Sequence, residues 1–485
     1  MLSAVLLVGA LALGGCREAE APRPPDVVLF VVDTLRRDYL SCYGYPAPTS
    51  PRIDAFAAQG ALFEDPTSQC SWTKPSMVSL VTGRYVTSYR DLVFEDAPTL
   101  AEVFKGAGYR TAAVVANTLL DEEAGFTRGF DWYDLSNKPN PELPGKRLAR
   151  DLEDLEEALW PILDGALAPG ESGERPPLFL VVHAMEPHFP YDLRPEYDEE
   201  LPLEAATPLR AAQREDFLAN GPAAPAEDPG WVQGFDRLRN ERGRYARDIR
   251  EADRLLGRLV DRLAARGVGE NALFALVSDH GETLFEERTP LPAADRASLP
   301  PYRYFYREHG VYLREGLINT PFILWGAGVP PGLRVPDPVE NVDLFPTLLE
   351  LAGLPRPAGL HGQSQVPRLL GEPSPQREFV FSAVFQHRAV RETATGLKLV
   401  IPTEAGRTSG FQPALYDLGS DPQELVDLLP DRPQDGKRLA EALDTWIRRY
   451  PTPSTLGREL SARERSALEA MGYAGEGGQA KPEDE

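Results

Sequence analysis

The sequence predicts an α/β fold with a mostly parallel main sheet, followed by a smaller C-terminal α+β subdomain. Five continuous apolar runs, rich in β-branched residues, have the composition of strands buried on both faces. They alternate with segments of helical spacing, which is typical of a parallel sheet. The predicted strands are 26–32, 109–116, 177–183, 272–278 and 320–325, and the predicted helices are 53–60, 99–108 and 248–266.

A change of pattern near residue 374 predicts the second unit. Short strand-like runs are followed there by a helical segment, which is typical of a compact appended subdomain. We therefore predict a catalytic domain over 26–373, with a surface insertion at 193–244, and a C-terminal subdomain over 374–473. Within that subdomain the predicted strands are 378–385, 397–401 and 414–418, the predicted helix is 436–450, and a disordered tail covers 474–485.

Composition limits the class of function. The chain has 485 residues, of which 42% are hydrophobic and 26% charged, as in an ordinary soluble globular body. Its net charge of -23 argues against nucleic-acid binding, because a nucleic-acid partner requires a basic surface. An anionic substrate is not excluded, because a metal ion and a few local cations can reverse the field inside one pocket.

The N-terminal segment predicts export. Residues 1–15 are small and apolar and lead into Leu13-Gly14-Gly15-Cys16. The run is too short for a membrane span and fits a signal peptide. Its ending resembles the lipobox of bacterial lipoproteins, so we expect a signal peptide over 1–16, lipidation at Cys16, a tether over 17–25 and a lipid-anchored position in the cell envelope. Cleavage as a plain signal peptide is the alternative, and pairing of Cys42 with Cys70 stays open.

Two predicted strands end in groups suited to a metal ion. Asp33 follows the first strand, and Asp279 with His280 follows the fourth. Ligands of open parallel sheets bind beyond the carboxyl ends of the strands. Carboxylate and imidazole groups together suit a divalent ion. Helix capping by Asp33 and a solvated turn at Asp279 are the alternatives.

The segment Ser71-Trp72-Thr73-Lys74-Pro75-Ser76 predicts a hydroxyl at the start of a helix. Pro75 suits a first helical turn, where free N–H groups and the helix dipole favour an anion. Thr73 is then a candidate nucleophile if a metal ion lowers its pKa. The alternative is that Thr73 is only an N-cap.

Seven ordered strings give this sequence a resemblance to a known family. They are FVVDTLRRD, PTSPRIDAFAAQGALFED, WTKPSMVSLVTGR, HAMEPHFPYD, VSDHGE, HGVYLREGLINTPFILWG and ALYDLGSDPQELVDL. Together they resemble the sulfatase family and cover nearly the whole mature chain. The resemblance implies an alkaline-phosphatase-like three-layer sandwich, a divalent cation, and hydrolysis or transfer of sulfate or phosphate esters.

The resemblance also implies roles for individual residues. Asp33, Asp279 and His280 match the metal ligands, whereas Thr34 stands where many sulfatases have a second Asp, so that carboxylate is missing. Thr73 matches the nucleophile and a metal contact. The remaining matches are His188 as the acid for the leaving group, Lys74 and Arg84 as charge-stabilising groups, and His183, His309 and Asn117 as substrate contacts.

Two departures from the family pattern favour phosphate esters. Thr73 cannot be oxidised to formylglycine because its Cβ carries a methyl group, and Met77 replaces the Arg of the signature. Cys70 lacks the x-Pro-Ser context, so the register through Thr73 is preferred. Threonine is the nucleophile of related phosphodiesterases and phosphoglycerol or phosphoethanolamine transferases. An arylsulfatase-like enzyme and an inactive lipoprotein that binds anionic glycans or lipids are the alternatives.

The remaining expectations concern the cofactor and residues outside the motifs. We expect one divalent ion, either Mn, Zn, Ca or Mg, and a second ion held by His183, His188 and His309 stays open. We expect structural or surface roles for His361 and His387. Capping or packing is expected for Asp253, and Trp72 and Tyr191 belong either to the pocket mouth or to the core.

Overall fold

A computed structural model of the chain describes residues 23–135, 152–189, 191–202, 229–284 and 309–455. The predicted signal peptide with Cys16, most of the predicted tether and the tail 474–485 lie outside the described residues, as does 203–228 of the predicted insertion. No helix among the described residues is long and apolar enough to cross a membrane.

Twelve strands lie in the described residues. They are β1 Asp26–Val32, β2 Gly60–Thr67, β3 Arg110–Val115, β4 Trp132–Asp134, β5 Leu178–Ala184, β6 Ala272–Val277, β7 Phe322–Gly326, β8 Leu333–Glu340, β9 Phe379–Ala383, β10 His387–Glu392, β11 Leu397–Pro402 and β12 Ala414–Asp417.

The α-helices of the described residues are α1 Pro51–Ala58, α2 Thr73–Thr82, α3 Leu100–Gly106, α4 Leu152–Ala166, α5 Pro229–Ala265, α6 Glu315–Ile318, α7 Leu344–Leu351, α8 Val366–Leu369, α9 Glu404–Thr408 and α10 Pro433–Arg449. Single 3-10 turns form at Arg37–Tyr39, Ser41–Tyr43, Pro195–Tyr197 and Asn341–Asp343.

The main sheet confirms the predicted fold class. Its eight described strands follow the order β4-β3-β5-β1-β6-β7-β2-β8. All neighbouring pairs are parallel except those of β7, which runs antiparallel to β6 and β2. β1 lies between β5 and β6, so Val31 pairs with both His183 and Val277. The carboxyl ends of these three strands therefore meet at one edge.

Helices cover both faces of this sheet, which makes three layers. Apolar side chains of α1, α4 and α5 pack on one face, and those of α2, α3 and α7 pack on the other. Every side chain of β1 is buried, as expected of a strand enclosed on both faces. The two apolar layers fix β1, β5 and β6 rigidly and so fix the groups that follow them.

The C-terminal residues form a second, antiparallel sheet of order β12-β11-β10-β9. Its core is closed by α10 through Leu439, Leu443 and Trp446. Buried Arg377 joins this sheet to the main one, donating to Asp343 at 2.7 Å and to Glu340. The predicted smaller antiparallel unit is confirmed, whereas its boundary at 373/374 stays a prediction.

Several details differ from the sequence expectations. The helix predicted over 248–266 begins at Pro229, so residues 229–244 of the predicted insertion belong to α5. β2, β4, β8 and β10 were not predicted. Cys42 and Cys70 are both free and lie in different apolar clusters, so the open possibility of a disulfide is not realised.

Candidate active site

Asp33, Asp279 and His280 come together at the carboxyl edge of the main sheet. Asp33 follows β1, and the other two follow β6. All three are fully buried, and each offers a ligand atom within 4.8 Å of the others. Nε2 of His280 lies 3.8 Å from Oδ1 of Asp33 and 3.5 Å from Oδ2 of Asp279. The structure thus gathers the predicted metal ligands.

The hydrogen bonds of this group leave the facing atoms open. Nδ1 of His280 lies 2.9 Å from the carbonyl oxygen of Gly281, so this nitrogen carries the proton and Nε2 keeps its lone pair. Oδ1 of Asp33 and Oδ2 of Asp279 have no hydrogen-bond partner in the described structure. Buried carboxylate oxygens are normally paired. These two oxygens and the imidazole nitrogen are a donor set that fits a divalent cation.

The electrostatics agree with that fit. Burial, followed by the nearby carboxylate of Asp279, raises the pKa of Asp33 well above its usual range, although the Asn117 amide opposes this. Burial also lowers the pKa of His280. Two carboxyl groups buried side by side favour either a shared proton or a bound cation. Within the described residues, this is the one group of three such ligands that lie close enough to hold an ion.

Thr73 is the first residue of α2 and faces this group. Its Oγ1 lies 3.2 Å from Nε2 of His280. The N-cap position belongs to Trp72, which makes no side-chain cap bond. The alternative that Thr73 is only an N-cap is therefore wrong. Ser76 anchors the same helix turn, because its hydroxyl donates to the carbonyl of Asp279 at 2.5 Å.

A second set of histidines borders the metal group. The His309 ring lies 4.4 Å from that of His280 and 5.2 Å from that of His188, measured between centroids. Nδ1 of His309 lies 3.2 Å from Oε1 of Glu282. Burial favours a raised pKa for Glu282, but His309, His188 and His280 together hold this pKa below its usual value. Glu282 therefore orients an imidazole beside the metal group.

His188, the expected acid for the leaving group, has a lowered pKa. Burial, followed by the charge of His309, lowers the pKa of His188 to about 4. Its Nδ1 lies 2.6 Å from the carbonyl oxygen of Phe189, so Nε2 has no proton in the neutral ring. His188 can act as an acid only after protonation, which a bound anionic ester favours.

His183 and Asn117 stand beside Asp33. Nδ2 of Asn117 donates to Oδ2 of Asp33 at 2.9 Å, and its Oδ1 accepts from the N–H of Leu119 at 3.0 Å. Nε2 of His183 lies 3.9 Å from the same Asp33 oxygen, and burial lowers the pKa of His183 to about 4. Asn117 therefore supports the metal ligand and His183 lies beside it, and the contact of either residue with an ester stays a prediction.

Arg84 is not brought to the site. It follows Gly83, which ends α2, so about 15 Å of helix separates it from Thr73. Its guanidinium donates to Asp96 at 3.1 Å. We therefore correct the expected role of Arg84 in charge stabilisation. Lys74, by contrast, is buried in the first turn of α2 beside Thr73.

The structure also locates Met77 and the three histidines that could have held a second ion. Met77 lies in the apolar core, where it lines a cavity of about 30 Å³ together with His183. His183 lies beside Asp33, whereas His188 and His309 pack against each other. The three histidines do not form a second metal group among the described residues. Trp72 is half-buried, with its ring 5.8 Å from that of His309, whereas Tyr191 is buried in the core.

Comparison with known proteins decides the family. Residues 25–354 match the sulfatase family, and residues 304–448 match the C-terminal region of N-sulphoglucosamine sulphohydrolase. The chain belongs to the sulfatase family. Its similarity to human arylsulfatase A is 26% identity, covering 84% of each chain. Canine N-acetylgalactosamine-6-sulfatase is 26% identical, with 75% of this chain and 70% of that protein covered.

Solved structures show the same fold. The phosphonate monoester hydrolase of Agrobacterium radiobacter superposes with a TM-score of 0.65 at 21% identity, covering 91% of this chain and 99% of that chain. A structure of BT4656 in complex with D-glucosamine-2-N,6-O-disulfate has a TM-score of 0.65 at 18% identity, covering 88% and 98%. For this sulfatase-family protein, the predicted class of hydrolase acting on sulfuric or phosphoric esters is confirmed at the level of the family.

Two residues of this sulfatase-family site were missed by sequence reasoning. Glu282 and Ser76 both lie inside the quoted strings, VSDHGE and WTKPSMVSLVTGR. Their partners are far away in sequence, since Glu282 meets His309 and Ser76 meets the carbonyl of Asp279. The signal that could have found them was their fixed spacing from Asp279 and Thr73.

Proposed function

We propose that this chain is a metal-dependent hydrolase or transferase of phosphate esters, with Thr73 as the nucleophile. The observation that carries the proposal is the 3.2 Å separation between Oγ1 of Thr73 and Nε2 of His280, inside a group of open carboxylate oxygens. A threonine hydroxyl can attack phosphorus directly, whereas it cannot become the aldehyde that sulfatases use.

The cation would be held by Asp33, Asp279 and His280, with Thr73 beside them. When bound, it supplies positive charge that lowers the pKa of the Thr73 hydroxyl and offsets the charge of the ester. The identity of the ion is left to experiment, since carboxylate and imidazole ligands suit several divalent ions.

The chain's own groups account for the other requirements of the reaction. Thr73 starts α2, so the free N–H groups of that helix turn favour the anionic ester next to the hydroxyl. Lys74 adds a buried cation to the same turn. His309, oriented by Glu282, and His188 present imidazoles on the neighbouring side, where the leaving oxygen requires a proton. Asn117 holds Asp33 in place.

The structural neighbours include a phosphonate monoester hydrolase and a protein bound to a sulfated sugar. Sulfate ester hydrolysis is therefore the second candidate function, favoured by the sulfatase relatives. The deciding assay compares initial rates on an aryl phosphate, an aryl phosphodiester, an aryl phosphonate monoester and an aryl sulfate, using Mn-loaded protein. Faster turnover of the sulfate than of every phosphorus ester would overturn the preference for phosphorus.

A non-catalytic protein that binds anionic glycans or lipids is the third candidate. The presence of Asp33, Asp279 and His280, with a hydroxyl beside them, favours catalysis, because a binding surface alone does not require these groups. Saturable binding of a sulfated glycan, with no turnover of any ester after loading with Mn or Zn, would favour the binding protein.

We also propose that Cys16 is lipidated and anchors the enzyme in the bacterial envelope. The support is the Leu13-Gly14-Gly15-Cys16 ending of an apolar leader. Labelling cells that express the full chain with a clickable palmitate analogue tests it. Label is expected in the wild type and is lost in Cys16→Ser. Equal label in both proteins would contradict the proposal.

A further inference from the structure

Thr34 follows Asp33 directly and has an unusual environment. It is fully buried, and its Oγ1 has no hydrogen-bond partner in the described structure. A buried hydroxyl without a partner is costly, and such groups in a native fold call for an explanation. By contrast, the hydroxyl of nearby Ser278 has a partner, because its Oγ accepts from the N–H of Leu35 at 3.0 Å.

The backbone of Thr34 is equally unusual. Its φ is 57°, a left-handed conformation that is disfavoured for a β-branched residue. Other groups hold it there: the hydroxyl of Tyr245 donates to the Thr34 carbonyl at 2.7 Å, and the Thr34 N–H donates to Oδ1 of Asp279 at 3.3 Å. Backbone strain of this kind persists where the surrounding structure enforces it, and it is concentrated at functional sites.

These contacts place the backbone of Thr34 against the metal group. Its N–H touches one oxygen of Asp279, whose other oxygen is open. Its preceding residue is Asp33, which also has an open oxygen. Three buried oxygens without partners therefore lie on two adjacent residues and on the carboxylate that accepts from the Thr34 N–H. A cation bound by all three would satisfy them at once.

We propose that the Thr34 hydroxyl is a neutral oxygen ligand of the cation and that it makes the site select a transition ion such as Mn²⁺ or Zn²⁺ over Ca²⁺. This inference rests on the metal site of the proposed function. With Thr34 in place of a carboxylate, the ligands are two carboxylates, one imidazole nitrogen and neutral hydroxyls. Calcium prefers six to eight oxygen ligands and binds more tightly as ligand charge increases. Imidazole favours Zn and other transition metals.

The test measures metal binding to the resting protein without substrate. Metal-free full chain is titrated with MnCl₂ and with CaCl₂ by calorimetry, and bound Mn²⁺ is confirmed by electron paramagnetic resonance. Wild type is expected to bind Mn²⁺ more tightly than Ca²⁺. Thr34→Val, which keeps the shape but removes the oxygen, is expected to weaken Mn²⁺ binding by about 10-fold, a typical effect of losing a group that supports a metal. Thr34→Asp is expected to strengthen Ca²⁺ binding by a similar factor.

Tyr109→Phe is the matched control. Tyr109 is also buried, and its hydroxyl likewise has no partner among the described residues, but it precedes β3 at the opposite, amino edge of the main sheet. Its removal is expected to leave both titrations unchanged. If Thr34→Val fails to fold, the titrations of Thr34→Asp and Thr34→Ser decide the matter.

Two results would overturn the inference. One is Mn²⁺ binding by Thr34→Val equal to that of wild type. The other is an unchanged Ca²⁺ affinity in Thr34→Asp. Asp279→Asn, which removes an assigned ligand charge, is expected to weaken binding of either ion and checks the metal site itself. Tight Mn²⁺ binding without ester turnover would contradict the proposed function and leave the role of Thr34 intact.

Discussion

The hydroxyl oxygen of Thr73 lies 3.2 Å from Nε2 of His280, and that nitrogen also faces the open oxygens of Asp33 and Asp279. Because Nδ1 of His280 is bonded to the Gly281 carbonyl, Nε2 has the free lone pair. The nucleophile and the imidazole ligand are thus preorganised around one point before any substrate binds. This arrangement makes the function testable by single substitutions.

Removing the Thr73 hydroxyl is expected to abolish turnover. Thr73→Ala should lower kcat/KM on an aryl phosphate by about three orders of magnitude, since the attacking oxygen is lost. Thr73→Ser should retain measurable activity, because it keeps a hydroxyl at the same position. Thr82→Ala is the control, because Thr82 is buried at the other end of α2, where its hydroxyl bonds to the Val78 carbonyl at 2.6 Å. Undiminished activity of Thr73→Ala would exclude this nucleophile.

Glu282 is expected to act through His309. Glu282→Gln removes the carboxylate that orients Nδ1 of His309, so kcat should fall by about 10 to 100-fold with a smaller change in KM. Glu156→Gln is the control, because Glu156 is also buried but bonds to Arg258 and Arg262 and to no histidine of the site. A loss confined to KM, or an equal loss in both variants, would show that Glu282 does not position a catalytic imidazole.

Asp33 is expected to destabilise the protein when no metal is bound. Burial and the Asp279 charge both raise its pKa, so the ionised form costs folding free energy. Asp33→Asn should raise the melting temperature of chelator-treated protein and should remove the further increase that Mn²⁺ gives to wild type. Differential scanning fluorimetry with and without MnCl₂ measures both. A metal-free variant less stable than wild type, with a preserved Mn²⁺ shift, would contradict the assignment.

Substitution of Arg84 is expected to have little effect on catalysis. Its guanidinium bonds to Asp96 at the far end of α2, so Arg84→Ala should leave kcat/KM within about threefold of wild type, since surface ion pairs contribute little. Lys74→Ala, which removes the buried cation beside Thr73, should lower kcat/KM by more than this. Steady-state kinetics on one aryl phosphate compare the two. Equal losses of kcat/KM in the two variants would show that Arg84 contributes to catalysis.

Strand-end residues could be predicted because parallel strands bring their carboxyl ends together. This held for Asp33, Asp279 and His280, which follow buried apolar runs. The pairing of Glu282 with His309 could not be predicted, because 27 residues separate them in sequence. The position of Arg84 was predicted wrongly for a related reason. The motif fixes the sequence spacing between Thr73 and Arg84. Because the ten residues of α2 lie between them, Arg84 is held at the end of the helix that is away from the site.

Prediction from the local sequence pattern also failed where tertiary contacts decide the structure. β7 has the apolar pattern of a parallel strand, yet it runs antiparallel to both neighbours. Direction is set by the chain path between strands, which an apolar run does not encode. The start of α5 at Pro229 was missed because residues 229–244 lack a sustained apolar stripe in sequence, and packing on the main domain is the usual source of helix stability.

Asp253 predicts a pH dependence of stability that is independent of catalysis. Its carboxylate lies on α5 and accepts from the N–H groups of Ile53 at 2.7 Å and Arg52 at 3.1 Å, in the first turn of α1. It therefore caps a helix to which it does not belong, as expected. Burial raises its pKa to about 7 despite these bonds, compared with about 3.9 in an unfolded chain.

The direction of the effect follows from proton binding. Between about pH 4 and about pH 7 the folded state holds more protons at Asp253 than the unfolded state, so stability falls as pH rises through this window. Asp253→Asn cannot titrate. The melting temperature of wild type should therefore exceed that of the variant by more at about pH 5 than at about pH 8. Asp261→Asn, which removes an exposed carboxylate of the same helix bonded to Arg52 at 2.5 Å, is the control variant and is measured at the same two pH values. A wild-type advantage that grows with pH would mean that Asp253 is ionised in the folded protein throughout and stabilises α1 as an anion.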